Sequence, residues 1–354
     1  MEKKLYSVQY LRGLAAVLVV IAHAAAHPLS ESSYVLLRLG QLGVTLFFVI
    51  SGFIMVAISG AGRFAPLEFL KRRIIRIVPL YWLFTTLAAG LALTLPSLFH
   101  STVFSWPHYL QSMLFIPHEA PGRGGTSPLL SLGWTLNYEA FFYVAFALCA
   151  LLAVTGRVVV LTLAFAALVA FGALFQPQDA VLGFYANQAV LAFCAGAWIG
   201  WLALKGRIAT LPAWLTPVLL TIGVLALGWA FLGYRVPEEN GLSFACLVLF
   251  SGALMLFGLR HEARLPRSAL LEKLGDASYA IYLVHMFVIG LMVALAARVL
   301  PDVLPAYLGL VAVSVLLALG AGVVVHERIE LPLLRLLRGK RPVAPAGTTA
   351  GSAA

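Results

Sequence analysis

The first apolar segment of this chain contains an arginine and a histidine, two residues that can do chemistry. It reads YLRGLAAVLVVIAHAAAHP, and Arg12 and His23 lie eleven positions apart. At about 3.6 residues per turn and ~1.5 Å rise per residue, both side chains share one helix face roughly 16 Å apart. A charge inside a membrane segment is costly and normally faces a partner or a wet cavity. The spacing therefore predicts that this helix lines a functional site.

A second group of polar residues lies in the segment SLGWTLNYEAFFY, at the outer start of another apolar run. It contains Ser131, Trp134, Glu139 and Tyr143, and the last two share a helix face because they are four residues apart. We place this group at a depth similar to that of His23. A carboxylate near a histidine can fix its tautomer and stabilise the imidazolium. The same spacing is equally compatible with a structural polar contact between two helices.

A third group, KRRIIRIVPLYW, forms one basic face at the cytoplasmic mouth of a span. Arg72 and Arg73 are three to four residues from Arg76, and guanidinium groups offer planar, multidentate donors suited to phosphate. Membrane topology alone also puts basic residues at this end of a helix. Arg76 is the more informative residue, because it lies deeper and Pro79 can open the backbone nearby.

The composition shows which elements must position these groups. Apolar residues make up 62% of the 354-residue chain and charged residues 11%, with a mean hydropathy of +0.96, which excludes an ordinary soluble domain. Runs this long and apolar cross a membrane as helices. We therefore predict an all-α integral membrane protein with about ten transmembrane helices, near 8–27, 43–59, 74–96, 136–154, 158–175, 185–204, 213–233, 242–259, 278–300 and 306–326.

The distribution of basic residues predicts the orientation of these spans. With a cytoplasmic N-terminus, 18 of the 24 Lys and Arg residues fall in inner segments, among them Arg157. Three fall in outer loops (Arg38, Arg123 and Arg235) and three within spans. This is the positive-inside pattern, and it places both termini in the cytoplasm. The net charge of +10 thus reflects topology and attraction to anionic membrane lipid, and we expect no nucleic-acid partner.

The remaining segments predict one membrane domain over residues 1–340 and a disordered cytoplasmic tail over 341–354. The outer connection 97–135 is 39 residues long, which is typical of a lid or binding loop. We interpret Glu327 and Glu330 as interfacial charges at the end of the last helix. The glycines of GLAA and GVTLFFVISGF indicate close helix packing.

Two alternative interpretations concern the first span. Its lysines, apolar stretch and small residues also resemble a cleavable signal peptide, but Arg12 interrupts the apolar region. His27 follows His23 by four residues, a spacing that could serve a metal with Glu139 as a third ligand. Since Pro28 marks the helix end, we expect no metal. The three cysteines lie in predicted spans without metal-ligand spacing.

Taken in order along the chain, these motifs resemble the membrane acyltransferase-3 family. The motifs are Arg12 with ten residues before His23, GVTLFFVISGF, Arg73 with Arg76, the Ser131–Tyr143 segment, LGDASYAIYLVH ending at His285, and the final ERIELP. They extend over almost the whole chain. The segments VQYLRGLAAVLVVIAH and RRIIRIVPLYW are most similar to the branch that O-acetylates bacterial exopolysaccharides.

The resemblance implies an O-acetyltransferase of the cytoplasmic (inner) membrane, with acyl-CoA, most commonly acetyl-CoA, as donor. It implies that Arg73 and Arg76 hold the donor's phosphates and that Arg12 and His285 line the path of its pantetheine arm. His23 would serve as general base or as transient acyl carrier, with Glu139 orienting or supporting it. Ser131, Trp134 and Tyr143 would shape the site of the acceptor, a glycan or lipid-linked sugar.

The residues themselves leave other functions open. A small-molecule metabolite could replace the sugar as the acyl acceptor. A transporter could use Arg12, Arg76, Glu139 and the histidines along a permeation path, and a membrane scaffold would need none of them. His285 could equally be an interhelical hydrogen-bonding residue, placed nearer the cytoplasmic side than His23.

Overall fold

The computed structural model describes residues 4–26, 34–95, 102–122, 124–232, 241–298 and 303–338. His27 and Pro28, the start of the outer connection (97–101), Arg123, Arg235 and the tail 341–354 lie outside the described residues. The possible end of a signal peptide near Pro28, a metal ligand at His27 and the disordered tail therefore concern residues outside this description.

The described chain is helical throughout, with one isolated β-bridge between Glu119 and Thr126. A 3₁₀ turn occupies Glu262–Arg264, and a π-helical turn, His326–Glu330, joins the last two helices. The α-helices are α1 (Tyr6–Ala26), α2 (Tyr34–Ser59), α3 (Pro66–Thr94), α4 (Trp106–Met113), α5 (Gly133–Leu148), α6 (Val154–Phe175), α7 (Ala180–Tyr185), α8 (Val190–Leu204), α9 (Arg207–Thr210), α10 (Leu215–Leu232), α11 (Gly241–Arg260), α12 (Ala269–Asp276), α13 (Ser278–Ala296), α14 (Leu304–Val325) and α15 (Leu331–Arg338).

Eight of these helical segments are long and apolar enough to cross a membrane. They are α1, α2, α3, α6, α10, α11, α13 and the continuous segment Leu304–Arg338. Two further predicted spans fall on shorter helices, the 16-residue α5 and the 15-residue α8. The all-helical membrane architecture is thus confirmed.

Helices α2 and α8 pack with their backbones in direct contact. A Cβ at Gly196 would overlap the carbonyl oxygen of Val49, and one at Gly52 would overlap that of Phe193. Without a hydrophobic driving force in lipid, such small residues allow the close approach that gives dispersion contact between helices. The packing interpretation of the GVTLFFVISGF glycines is therefore correct for Gly52.

Helix α1 lies between α2 on one side and α12–α13 on the other. A Cβ on Gly43 would lie 2.7 Å from Val19 Cγ2, and one on Gly13 would lie 3.2 Å from the backbone nitrogen of Gly275. The next turns continue the same contact, because Ala16 and Val20 pack against Ala277 and Ile281. This parallel register fixes which α13 residues reach His23.

Two arginines that we counted as loop charges are buried inside helices, so that assignment was wrong. Arg38 lies in α2 and donates to the Tyr34 hydroxyl and, over 2.8 Å, to Gln41 Oε1. Arg157 lies in α6 and donates to Ser59 Oγ over 2.7 Å and to nearby main-chain carbonyls. Because these polar partners come from the ends of helices and from turns, hydropathy alone did not reveal them.

The outer connection forms a structured cap on α3. Tyr81 donates to the carbonyl of Ser112 over 3.1 Å, and Trp82 Nε1 donates to that of Met113 over 2.8 Å. Within the cap, His108 Nδ1 donates to His118 Nε2 over 2.6 Å, since His118 Nδ1 donates to a main-chain carbonyl. Burial, together with His118, lowers the pKa of His108 to about 4, so His108 is uncharged at neutral pH.

Gly196→Ala is expected to destabilise the protein because the added methyl pushes α8 away from α2. Overpacking of this kind costs about 1–3 kcal/mol. Thermal unfolding of the detergent-purified protein measures the effect. Gly228→Ala in α10 is the matched control, since a Cβ there meets no atom within 4 Å. Equal stability of the two variants would contradict the backbone contact.

Candidate active site

A buried cavity of about 200 Å³ lies between α1, α2, α3, α5 and α13. It brings together side chains that are far apart in sequence. Its charged lining residues are Arg12, Arg73, Arg76 and Glu139, and its hydroxyl-bearing lining residues include Ser51, Thr135, Tyr143, Ser278, Tyr279 and Tyr282. We call it the arginine cavity. Five residues predicted from the sequence thus meet in one place.

The electrostatics of the arginine cavity suit an anion. Three guanidinium groups and one carboxylate line it, and among the described residues neither Arg12 nor Arg73 has a salt-bridge partner. Arg12 makes a long contact of 3.4 Å to Gln9 Oε1. The buried Nε of Arg73 has no hydrogen-bond partner within the described part of the chain. An unsatisfied buried donor is costly, and a phosphate oxygen would satisfy it.

Glu139 lies in the wall of the arginine cavity, together with the three arginines. Its Oε1 accepts hydrogen bonds from Ser51 Oγ over 2.8 Å and from the Tyr143 hydroxyl. His23 does not belong to the residues that line this cavity.

A buried ion pair next to the cavity was not anticipated from the sequence. Arg76 pairs with Glu330, whose side chain is 2% exposed, and lies over the ring of Tyr279 at 5.6 Å. His326 Nδ1 donates to the other oxygen of Glu330 over 2.7 Å. Our interpretation of Glu330 as an interfacial charge was therefore wrong. Glu327 is exposed and pairs with Lys273 over 2.8 Å.

The local cause of this arrangement is the π-helical turn His326–Glu330 between α14 and α15. A π-helical turn inserts one residue into the regular α-helical spacing, which reorients the side chains within it, and such turns are frequent at functional sites. The turn places both His326 and Glu330 on the inner face of the protein. The turn begins where the predicted last span, 306–326, ends.

Two histidines lie side by side beyond the arginine cavity. The ring centroids of His23 and His285 are 5.1 Å apart. His285 is fully buried, and the parallel contact between α1 and α13 places it level with His23, not nearer the cytoplasm as we predicted. It lies level because α12 precedes α13 almost without interruption, so the helical segment begins earlier than hydropathy indicated.

Hydrogen bonds fix the tautomers of both rings. His23 Nδ1 contacts the carbonyl of Val19 at 2.9 Å, and His285 Nδ1 contacts that of Ile281 at 3.2 Å. Because a carbonyl only accepts, each Nδ1 carries the hydrogen, and each neutral ring keeps its lone pair on Nε2. The buried Nε2 of His285 has no hydrogen-bond partner among the residues that the structure describes. The pair therefore presents basic nitrogens in a largely buried environment.

Tyr282 connects the histidine pair to the arginine cavity. It lines the cavity, and its ring centroid is 5.9 Å from that of His285. Its hydroxyl contacts Thr135 Oγ1 at 2.7 Å and the carbonyl of Leu132 at 2.8 Å, which holds the ring in place. A continuous row of rings thus runs from the cavity to His23.

The other predicted site residues lie nearer the outer cap. Ser131 precedes α5 and its carbonyl accepts from the Trp134 backbone nitrogen over 3.2 Å. Trp134 is 36% exposed and packs edge-on against Tyr138, away from the arginine cavity. Among the described residues, no three His, Cys, Asp or Glu side chains form a metal-binding group.

A helical membrane protein with a buried cationic cavity leading to a histidine pair is an arrangement that an acyl-transferring enzyme can use. The model of the acyltransferase-3 family, described as an acyltransferase domain, matches residues 5–323. The chain belongs to this family, and the resemblance drawn from its motifs is confirmed. It is a multi-pass membrane acyltransferase.

Two curated relatives cover almost the whole chain. The exopolysaccharide production protein ExoZ of Rhizobium meliloti (strain 1021) is 36% identical over 311 residues, 86% of this chain and 93% of the relative. Acyltransferase MdmB of Streptomyces mycarofaciens is 27% identical, covering 97% of this chain and 95% of the relative. No solved structure matches the chain significantly.

The buried pair Arg76–Glu330 is expected to couple strongly in a double-mutant cycle. Removing one partner leaves the other charge buried, so Arg76→Gln and Glu330→Gln each destabilise, and the double variant loses less than their sum. Pairs in contact typically couple by about 0.5–3 kcal/mol. Chemical or thermal unfolding in mild detergent measures the free energies.

The exposed pair Lys273–Glu327 is the matched control for that cycle. Its side chains are 50% and 46% exposed, so solvent screening leaves it a much smaller coupling. Additive effects of Arg76→Gln and Glu330→Gln would show that the buried contact does not stabilise the fold.

Proposed function

We propose that this acyltransferase transfers an acetyl group from cytoplasmic acetyl-CoA to a sugar hydroxyl of an exopolysaccharide or another envelope glycan. The observation that carries the proposal is the row of rings from the arginine cavity to His23. It links a site suited to phosphate with a basic nitrogen. The printed name of the relative ExoZ, an exopolysaccharide production protein, supports a glycan acceptor.

The arginine cavity is the proposed site for the donor's phosphates. The Nε of Arg73 is a buried donor without a partner among the described residues. Arg76 is held in place by its contacts with Glu330 and the Tyr279 ring. Guanidinium groups bind phosphate oxygens through charge-assisted hydrogen bonds. Arg12, on α1, lies on the same side and continues toward His23. His285 lines the end of this path, where the thioester meets the base.

His23 is the proposed general base. Its Nε2 takes the proton of the acceptor hydroxyl while the hydroxyl oxygen attacks the thioester carbonyl. The new C–O bond forms, the C–S bond breaks, and the leaving thiolate receives the proton from the His23 imidazolium. A transient acyl-histidine at His23 is the second route that this position allows.

Glu139 and the outer aromatic residues have supporting roles in this proposal. Because the Glu139 carboxylate bonds Ser51 and Tyr143, we assign it electrostatic support of the arginine cavity. The expected orientation or electrostatic support of His23 by Glu139 stays a prediction. Tyr143 forms the cavity wall, whereas Ser131 and Trp134 lie where the acceptor approaches from outside.

The proposed topology has ten spans, both termini in the cytoplasm, and an inner-membrane location. It places the start of α1 and the basic end of α3 inside, and the His23 end of α1 outside. Only the acyl group then crosses the membrane, since donor and acceptor stay on opposite sides. A small-molecule acceptor remains the second candidate, and a transporter has less support because the chain belongs to an acyltransferase family.

Arg73→Ala is expected to weaken acetyl-CoA binding, since it removes a charge-assisted donor to phosphate. Loss of such a contact corresponds to about a tenfold to hundredfold rise in Kd. Equilibrium binding of labelled acetyl-CoA to the purified full-length protein measures it. The neighbouring Arg72→Ala is the control, because Arg72 is exposed and pairs with Glu68. Unchanged binding by Arg73→Ala would remove the phosphate role.

His23→Ala is expected to reduce acetyl transfer by about 10²–10⁴-fold, the typical contribution of a general base. Mass spectrometry of envelope and secreted glycans from a deletion strain, complemented at equal protein levels, detects the acyl mass increment. His261→Ala is the matched control, because His261 also bonds the carbonyl four residues before it, over 2.9 Å, at a distant helix end. Restoration by His23→Ala would exclude it from catalysis.

A further inference from the structure

A second cavity, of about 420 Å³, lies at the end of α6 opposite Arg157. The proposed topology puts this end on the outer side of the membrane. The cavity is open between the last turn of α6, helix α7 and the residues that lead into α8. Four carboxamide side chains line it, and among the described residues its lining contains no Lys, Arg, Asp or Glu. We call it the amide pocket, formed by Gln176, Gln178, Asn187 and Gln188.

The amides of this pocket offer both kinds of hydrogen-bonding group. Gln178 donates through Nε2 to the carbonyl of Gln176 over 3.1 Å, so its Oε1 can accept from a ligand. Asn187 accepts through Oδ1 from the backbone nitrogen of Ala189 over 2.9 Å, so its NH₂ group can donate. A hydroxyl group is both donor and acceptor and matches this pair. Among the described residues, no lining side chain carries a charge that would attract a phosphate or carboxylate.

Gln176 has a backbone conformation that is unusual for a residue other than glycine. It ends α6 in the left-handed conformation, with φ 43° and ψ 59°. Glycine adopts this conformation without steric cost, whereas other L-residues are strained there. A glutamine therefore occupies a position that glycine would stabilise better, and it lines the pocket. Strain at a ligand-facing residue is typical of a binding site.

The walls of the amide pocket are rigid and continue into the outer aromatic surface. A Cβ on Gly172 would lie 2.7 Å from the Cβ of Ala186, so α6 and the approach to α8 are in contact. On α7, Phe184 stacks on Tyr138 at 4.3 Å, and Tyr138 in turn packs against Trp134. Ring contacts thus lead from Phe184, the neighbour of the lining residue Gly183, to the residue where we place acceptor approach.

We propose that the amide pocket is an outer subsite for neutral sugar units of the acceptor glycan, separate from the unit that is acylated. This subsite extends the proposed function, and the identity of its ligand as part of the acceptor rests on that function. Helices α8, α2 and α1 pack side by side between the pocket and His23, so the subsite selects an extended chain over a monosaccharide.

The first test measures saccharide binding without acyl transfer. Saturation-transfer NMR on the purified full-length protein compares cellohexaose and maltohexaose with glucose. The wild type is expected to bind a hexasaccharide more tightly than glucose. The double variant Gln178→Ala/Asn187→Ala is expected to weaken hexasaccharide binding about tenfold or more, as two hydrogen bonds are lost. Gln111→Ala, an amide of the outer cap, is the control.

Gln176→Gly separates loss of the ligand contact from loss of folding. It relieves the left-handed strain, so the thermal midpoint is expected to stay equal or rise, while hexasaccharide affinity falls severalfold. Retained affinity in this variant and in the double variant overturns the subsite, as does a wild type that binds neither hexasaccharide. Binding lost in the variants, with no acyl transfer to any glycan by the wild type, would uphold the subsite and refute the proposed function.

Discussion

The cost of holding arginine charge inside a membrane-embedded bundle governs how this protein is arranged. Three guanidinium groups converge on the arginine cavity, and two carboxylates oppose them, Glu139 in its wall and Glu330 beside it. A buried pair repays its desolvation only with good geometry and further hydrogen bonds. Ser51, Tyr143 and His326 supply those bonds. Among the described residues, Arg12 and Arg73 have no carboxylate partner, so the cavity keeps an excess of positive charge.

How much of this could be predicted depends on the range of the interaction. The helices follow from hydropathy, because each span satisfies its own backbone, and Arg12 with His23 follows from spacing on one helix. The contacts of His285 with His23 and of Glu330 with Arg76 could not be predicted in this way. One depends on the parallel contact between α1 and α13, and the other on a π-helical turn that no local propensity marks. Both are decided by packing between segments more than 250 residues apart.

The positions of two arginines were mispredicted for a related reason. Arg38 and Arg157 were assigned to loops because a charge is expected outside the hydrocarbon core, yet both are buried within helices. Arg38 donates to a hydroxyl and an amide oxygen of its own helix, and Arg157 donates to a hydroxyl and to main-chain carbonyls near helix ends, where backbone acceptors have no helical partner. Whether an arginine can be buried in a helix therefore depends more on nearby hydrogen-bond acceptors than on the hydropathy of the surrounding segment. The positive-inside asymmetry survives these two corrections, because it rests on many other residues.

The side chains between the arginine cavity and His23 are buried, which matters for the proposed acyl transfer. An acyltransferase must keep water, a competing nucleophile, away from a reactive thioester. His285 is fully buried, and Tyr282 is anchored by Thr135 and a carbonyl. The row of rings thus joins the arginine cavity to His23 through buried side chains. Under the proposed mechanism, an acceptor hydroxyl held at His23 competes with water through its position.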